Sequence, residues 1–597
     1  MKRLKGSLTS ALLKLYALTL FCFSSLTLAN AQNSIYSDPV RISTDTSMIS
    51  TMAACALDKN GHLHIIYVGW YYELGAPSNV ASEIFYTNNR SGEFFQPEKL
   101  PKAELPSIPG YENGFYYSKE PTIAVDSGGT VHVAYYRTRF QLEGAGFICY
   151  TNNKYGDFSV PQILYYDPLI WCPHCYSFGK NIGLAVGPDN DSIHIVFQGN
   201  PGTGHGGALY SIGLNGNFNV PVTITQKSGD PTIKIDREGI PNILYWINSD
   251  TTDIFSSGNL AISKILGGRF SSPSILFESA DPLESTFAID QYDSIHVVCR
   301  HRPDFAQIPQ MNYIRGIFGQ FSPVIQLPTN TLVSHMYSID VAKNQIEYIA
   351  YKQAADKQSL GFMYNDGSGF KDISPQDYHK YGFISAGPKW FALDKANKMG
   401  YFVFTTEQIE LVQVDLRTPS IPLCIDQPNN ATNVSITPIF SWYQSDRAID
   451  YHIQVSATSD FSDIVVNKNN IIDTISTLSG LSYGKTYYWR INASGAGGKS
   501  DWSEIWNFTT VKAVGINTLS SEAGFQFYPN PVNNVLFLEG IENENAKVSI
   551  FSIDGKSLKQ MNGTGINQVD LSDLPKGIYL LRVLNSKTNF TKKFIKQ

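Results

Sequence analysis

One phrase returns along the first two-thirds of the chain and constrains what that part can fold into. Its fullest form is PTIAVDSGGTVHVAYY, residues 121–136. It is a short apolar run ending on Asp126, a Ser-Gly-Gly turn, and a second run alternating about His132 and Tyr135, the pattern of two strands joined by a tight hairpin. The phrase stands again at residues 53–67, 184–197, 231–246 and 287–299, and more loosely at 337–351 and 390–404. Successive copies begin 47–68 residues apart, a period that points to propeller blades with loops of varying length.

Each copy continues alike. A third apolar run follows, such as IFYTNN (84–89), FICYTNN (147–153) or MNYIRG (311–316), then a Gly-x-Phe turn and a fourth run, such as GDFSVPQIL, GNFNVPVTI, GRFSSPSIL or GQFSPVIQL. A lone four-stranded sheet cannot bury both faces, so neighbouring copies must stack around an axis. The expected fold is therefore all-β, a seven-bladed β-propeller over residues 32–417. The last copy ends at Leu416 without its outer strand, whereas YSDPVRIST at 36–44 matches the outer-strand pattern. The N-terminal strand is expected to complete the last blade and remove the open edge.

The chain opens with MKRLKG, an apolar run over 12–28, and Ala29-Asn30-Ala31. A basic head, a short apolar core and a small-x-small site read as a secretory signal peptide over 1–31. A membrane anchor would need about 20 uninterrupted apolar residues, and Lys14 and the serines break this run. No other stretch is apolar enough to span a bilayer. A net charge of −6 argues against a nucleic-acid partner. The cysteines beyond the leader are Cys55, Cys149, Cys172, Cys175, Cys299 and Cys424, too few for a disulfide scaffold in so long a chain. Cys55, Cys149 and Cys299 fall in apolar strand patterns and read as core. A monomer is expected.

Connections between second and third strands, and between one blade and the next, open on the same face of a propeller. Here they are the long ones: residues 69–82, 101–120, 137–146, 166–181, 198–208, 248–258 and 300–310. Length without secondary structure points to function, so this is the expected working face. Its loops hold Trp70, Tyr72, Tyr116, Tyr117 and Trp171 beside Arg137, Arg139, Arg300 and Arg302. Flat rings and guanidinium forks suit a sugar chain bearing carboxylate or sulfate; packing of the loops against one another is the plainer use of the same rings.

The histidines sort by position. His64, His132, His194 and His296 recur at one place on the second strand and read as structural, because catalysis needs asymmetry. His174, His205 and His301 have no counterparts in other blades and are the better site candidates. Cys172, His174 and Cys175 form a Cys-Pro-His-Cys cluster that could give three of the four ligands of a structural zinc, His205 or His301 completing the set; a Cys172–Cys175 disulfide or two free thiols are the alternatives.

Beyond Thr418-Pro-Ser-Ile-Pro422, residues 418–511 carry Trp442, Tyr451, Leu481, Tyr483, Tyr488 and Trp489 over short alternating runs and resemble a fibronectin type III module, a β-sandwich that mostly acts as a spacer. Residues 523–597 carry Tyr528-Pro-Asn-Pro531, Asp554-Gly555, Leu574-Pro-Lys-Gly577 and a lysine-rich end. They resemble the type A C-terminal sorting domain of the type IX secretion system. That resemblance implies a second small β-sandwich, a Bacteroidota-type bacterium, the secretion machinery as partner, and passage across the outer membrane to an extracellular or surface location.

The propeller is similar in architecture to the sialidase-like superfamily. Its turns read Asp-x-x-Gly-x-x-His and no Arg-Ile-Pro occurs, which speaks against sialidase activity. Seven-bladed polysaccharide lyases, ulvan lyases among them, are a nearer architectural resemblance and imply β-elimination on a uronate polymer. In that reading Arg137 or Arg300 neutralises the carboxylate, while His205, His301 or Tyr117 serves as base or acid. The competing reading is a non-catalytic propeller that binds glycan or protein by the same face.

Overall fold

The structure is a computed structural model that describes residues 35–597 other than 44, 46, 73–79, 107–115, 140–145, 168–180, 200–206, 215, 227, 249–257, 280–284, 302–309, 329–335, 354–358, 376–386, 388, 397, 407, 513–524, 542–544 and 586–588. Every regular element among them is a β-strand.

Up to Leu416 the strands form six sheets among the described residues, and in the largest, of eight strands, two successive antiparallel arrays are joined by one parallel bridge between Ser82 and Tyr117; each antiparallel array is called a blade and numbered in chain order. Blade 2 shows the plan: Tyr116–Val125, Val131–Arg139, Gly146–Asn152 and Gln162–Asp167 run innermost to outermost. The first strand of each blade packs beside that of the next, and Phe391–Asp394 of blade 7 returns to Ile49–Leu57 of blade 1. The ring is closed. Val40 pairs with Leu411 and Arg41 with Glu410, and Tyr36 bridges Val414, so the N-terminal strand is the outer strand of blade 7, as its pattern required. Tyr36 is buried and donates its hydroxyl to Ile373 O at 2.8 Å.

The hairpin between the first two strands is nearly the same in six blades. A backbone N–H three residues along donates to the carbonyl at Asp58, Asp126, Gly187, Asp236, Asp290 and Ala342, at 3.0–3.1 Å. The donor residues, Gly61, Gly129, Asn190, Gly239, Asp293 and Gln345, have φ between +60° and +89°. That left-handed conformation explains the Gly, Asn and Asp there.

The core lies between blades. Ala54, Ile66, Val68 and Tyr86 of blade 1 pack on Ile123, Val133, Tyr135 and Cys149 of blade 2, and Cys55, Ile65 and Tyr67 pack on Val403, Ile409 and Leu411 of blade 7. Cys55, Cys149 and Cys299 are buried free thiols, as expected of core cysteines. Burial raises all three thiols, Cys149 to about 12.

The described chain divides into two compact units. One comprises Met1–Pro428, Ile439–Leu478 and Tyr488–Trp506; the other comprises Asn429–Pro438, Ser479–Tyr487 and Asn507–Gln597. In the first, the propeller is followed by a three-stranded sheet of Cys424–Asp426, Ile439–Trp442 and Ile475–Thr477 and by Asp450–Ser456 paired with Ile464–Ile471. Phe440 meets Trp489, and Trp442 meets Tyr451, with ring centroids 4.9 and 5.3 Å apart. The Tyr348 hydroxyl of blade 6 donates to Ala496 O at 2.7 Å. In the second unit, residues 526–597 form a sandwich of a three-stranded and a four-stranded sheet over Leu536, Leu538, Val548, Ile550, Leu581, Val583 and Phe594.

Candidate functional site

The repeated turn also explains the repeated histidines. Asp126 Oδ1 accepts the Thr130 N–H at 2.7 Å, and its Oδ2 lies 3.4 Å from His132 Nε2. The other ring nitrogen of His132 lies 2.7 Å from the Tyr150 hydroxyl. Blade 5 repeats the chain through Asp290, His296 and Tyr313, at 3.3 and 2.8 Å. His64 and His194 meet Tyr86 and Tyr210 at 2.7 Å each. All four imidazoles are buried. Blade 4 shows the same position without the ring: Asn242 replaces histidine, Ile262 stands in the tyrosine's place, and Asp236 instead holds Asn242 at 3.2 Å and Lys264 at 3.1 Å. Histidine and tyrosine leave together because each is the other's buried hydrogen-bond partner.

Electrostatics follow the burial. Burial pushes His64 and His194 down to about 4 and lowers His132 against the pull of Asp126. Burial opposes ionisation of Asp126 too, but hydrogen bonds from Thr130 and His132 outweigh it and hold the carboxyl below its ordinary value. Each of the four imidazoles is locked into its blade by the tyrosine hydroxyl it meets.

At the opposite ends of the strands, on the side of the long connections, blades 1 and 2 bring a set of unlike residues together. Trp70 is half-buried at the end of Leu63–Tyr72, and its indole N–H donates to Thr51 Oγ1 at 2.7 Å. The Tyr117 ring lies 5.8 Å from it, centroid to centroid, and Lys119 Nζ sits 4.7 Å from the Tyr117 centroid. Ile49, paired opposite Trp70, is 60% exposed. Ser118, next to Tyr117, joins an ionic network centred on the buried Glu83. Glu83, 3% exposed, takes Arg137 Nη1 at 2.9 Å on one oxygen and Lys102 Nζ at 3.0 Å on the other. Arg137 Nη1 also donates to Ser118 Oγ at 3.0 Å. Ser82 Oγ donates to Ser118 O and accepts the Ser118 N–H, both at 2.9 Å, bracing blade 1 to blade 2. Burial works against the Arg137 charge, but Glu83 more than restores it; the hydrogen bond to Glu83 likewise raises Lys102.

Of the residues expected at a site, Trp70, Tyr117 and Arg137 are thus brought together. Arg137 is 5% exposed and has its guanidinium engaged with Glu83. Arg300 is buried in blade 5 on Ile295–His301, paired opposite Met311. The backbones of Tyr72, Tyr116, Arg139 and His301 end their strands on the same side. Trp171, Cys172, His174, Cys175, His205 and Arg302 lie outside the described residues. Among the described residues no group of three or more His, Cys, Asp or Glu is placed to hold a metal ion. Sequence reasoning passed over Glu83 and Lys102; the signal was a lone carboxylate in the apolar run VASEIFYTN, which a buried strand carries only when it is paired.

Residues 526–597 match the family of secretion system C-terminal sorting domains. No curated protein matches the chain. Among solved structures, a protein of unknown function from Dyadobacter fermentans is 13% identical, covering 63% of this chain and 98% of that one, with a TM-score of 0.38. An ulvan lyase from a new polysaccharide lyase family, bound to -[GlcA(1-4)Rha3S]-, is 12% identical over 62% of this chain and 95% of its own, TM-score 0.39. The α-L-arabinofuranosidase of Fusarium graminearum, in complex with arabinobiose, is 11% identical over 64% and 99%, TM-score 0.36. No helix among the described residues is long and apolar enough to cross a membrane. The chain is a β-propeller protein whose C-terminal sorting domain directs it through type IX secretion to the cell surface or the extracellular space.

Proposed function

We propose that the protein is an exported propeller that binds an acidic extracellular polysaccharide on the face of the long connections. The observation that carries this reading is the cluster on blades 1 and 2: the half-buried Trp70, the buried Tyr117 ring 5.8 Å away and tilted 36° to it, and Lys119 over the face of Tyr117. The exposed part of the Trp70 ring takes the apolar face of a sugar ring, with Tyr117 packed behind it, and the neighbouring Lys119 ammonium takes a carboxylate or sulfate on that sugar. Glu83, Arg137 and Lys102 keep the adjoining Ser118 rigid, so little ordering is needed on binding. Tyr72, Tyr116, Arg139, Trp171 and Arg302 extend the surface in this reading. The module over 418–511, fibronectin type III-like by its pattern, serves as a spacer in a Bacteroidota-type bacterium, and Cys172, His174 and Cys175 hold a structural zinc.

The sharper form is β-elimination on a uronate polymer. With Arg137 committed to Glu83 and Ser118, Arg300 is the residue assigned to the carboxylate, with His301, His205 or Tyr117 moving the proton. One experiment separates the readings. The purified full chain is incubated with uronate, sulfated and neutral polymers, following ultraviolet absorbance of an unsaturated uronate, and run through gels containing each polymer. Retardation by an acidic polymer that is lost in Trp70→Ala supports the binding site; rising absorbance that falls about a hundredfold in Arg300→Ala adds the lyase step. No retardation and no absorbance on any polymer overturns the glycan reading.

A further inference from the structure

The propeller's axial channel carries a charge imbalance that neither the blades nor the Trp70 cluster explains. Cross-strand pairing aligns the seven inner strands: Ala56, Ala124, Ala185, Lys234, Ala288, Asp340 and Ala392 occupy one level, each opposite the residue two after its hairpin or its equivalent. Five of the seven are alanine, and those of blades 1 to 3 are half-exposed although they lie mid-sheet. Small side chains at this level leave the channel open there.

Lys389 enters from blade 7. Its Nζ donates to Leu184 O at 2.8 Å and Ile123 O at 3.1 Å, carbonyls of blades 3 and 2 across the ring. Both acceptors belong to the level directly before the alanines, where blade 4 has Ile233, so Lys389 Nζ sits one residue along the strand from the level of Lys234. Below, Lys395 Nζ pairs with Asp340 Oδ1 at 3.0 Å. The ammonium groups of Lys234, Lys389 and Lys395 thus gather near the Asp340 carboxylate, which pairs with Lys395 and also draws on Lys234. Among the described residues Lys234 has no hydrogen-bonded or ion-paired partner within contact distance. Burial depresses Lys389 to about 7, helped by the Lys234 charge, and burial lowers Lys234 as well, against the pull of Asp340. Both lysines are only half-buried, but like charges held close together still normally gain a counter-ion, and five other blades show alanine as the available replacement.

We propose that the axial channel is an anion site, in which Lys234 and Lys389 hold a small tetrahedral oxyanion, sulfate or phosphate, at the level of the alanine ring. Lys389 spends two of its three donors on carbonyls and keeps one for the anion; Lys234 supplies the second cation. The anion cross-links blades 4 and 7, which lie on opposite arcs of the ring, and joins them through Lys389 to blades 2 and 3. It is a fastening for the closed ring, independent of what the outer face binds.

The test is thermal unfolding of the full chain at pH 7 in rising sodium sulfate or phosphate, with ionic strength held by sodium chloride, alongside Lys234→Ala and Lys389→Met. The expected result is a melting temperature that rises and levels off with oxyanion in the native protein, and no saturable rise in either variant. Lys234→Ala reproduces the residue of five other blades and is expected to fold; without added oxyanion it should melt no lower than the native protein. A rise that never levels off and is the same in all three proteins is the general effect of excluded salts and overturns the proposal, as does the absence of any rise. A Lys234→Ala variant that melts lower without oxyanion also overturns it, because Lys234 would then be serving the fold unaided.

Discussion

Acid should loosen the propeller well before its carboxylates titrate, and the buried histidines set the amount. His64 and His194 sit at about 4 in the folded chain against 6.5 unfolded. A histidine whose folded value is depressed binds its proton first in the unfolded chain, so stability falls as pH drops below 6.5 and stops falling near 4. Between pH 7.5 and 5.0 the linkage integral, RT ln[(1 + 10^1.5)/(1 + 10^−1)], comes to about 2 kcal/mol for each such histidine, about 4 kcal/mol for the pair. His132, lowered in the same direction, adds to it. The perturbation that isolates one of these histidines copies blade 4 into blade 3: His194→Asn with Tyr210→Ile, after Asn242 and Ile262. Both proteins are unfolded in urea at pH 7.5 and pH 5.0. The variant starts from its own stability at pH 7.5, but its loss on acidification should be smaller than the native protein's by about 2 kcal/mol. An equal loss in both proteins would mean that His194 is not held neutral by burial, and the argument would fail.

Other outcomes follow from particular contacts. Glu83→Ala leaves the buried Arg137 without its carboxylate, the exposed Lys102 merely losing a partner, and should cost about 3–5 kcal/mol in urea unfolding, whereas a surface carboxylate such as Glu93 should cost within about 0.5 kcal/mol. Tyr36→Ala removes a buried ring and its hydroxyl bond to Ile373 O from the strand that closes the ring, and should cost about 3–5 kcal/mol; light scattering should also rise as the blade 7 edge opens. Deleting residues 526–597 should leave the protein folded but retained inside the outer membrane, read by immunoblot of cell and medium fractions. If Cys172, His174 and Cys175 hold zinc, the purified chain carries about one zinc per molecule, and Cys172→Ser with Cys175→Ser loses it and melts earlier; a zinc-free chain with a Cys172–Cys175 disulfide by mass spectrometry ends that idea.

The repeat was legible because a blade is a local object. Asp126, the Gly129 turn and the alternation through His132 lie within a dozen residues, so hairpin geometry and strand period write themselves directly into sequence. Even the ring closure could be read, since the last copy lacked a strand that residues 36–44 supplied. The repeating histidines were separable from site candidates by the same logic: His64, His132 and His194 each meet a tyrosine of their own blade, while His296 and Tyr313 also reach Glu347 of the next. What only the tertiary structure decided are the unlike pairings between blades. Arg137 reads as a substrate-facing cation from its loop position, yet it folds inward to Glu83, a residue 54 positions earlier. Nothing in the sequence marks Lys389, and only a closed ring carries its ammonium to carbonyls 266 and 205 positions away. Contacts of that separation depend on the rotation between successive blades, which no local pattern encodes, and it is this rotation that assembles both the Trp70 cluster and the lysines of the channel.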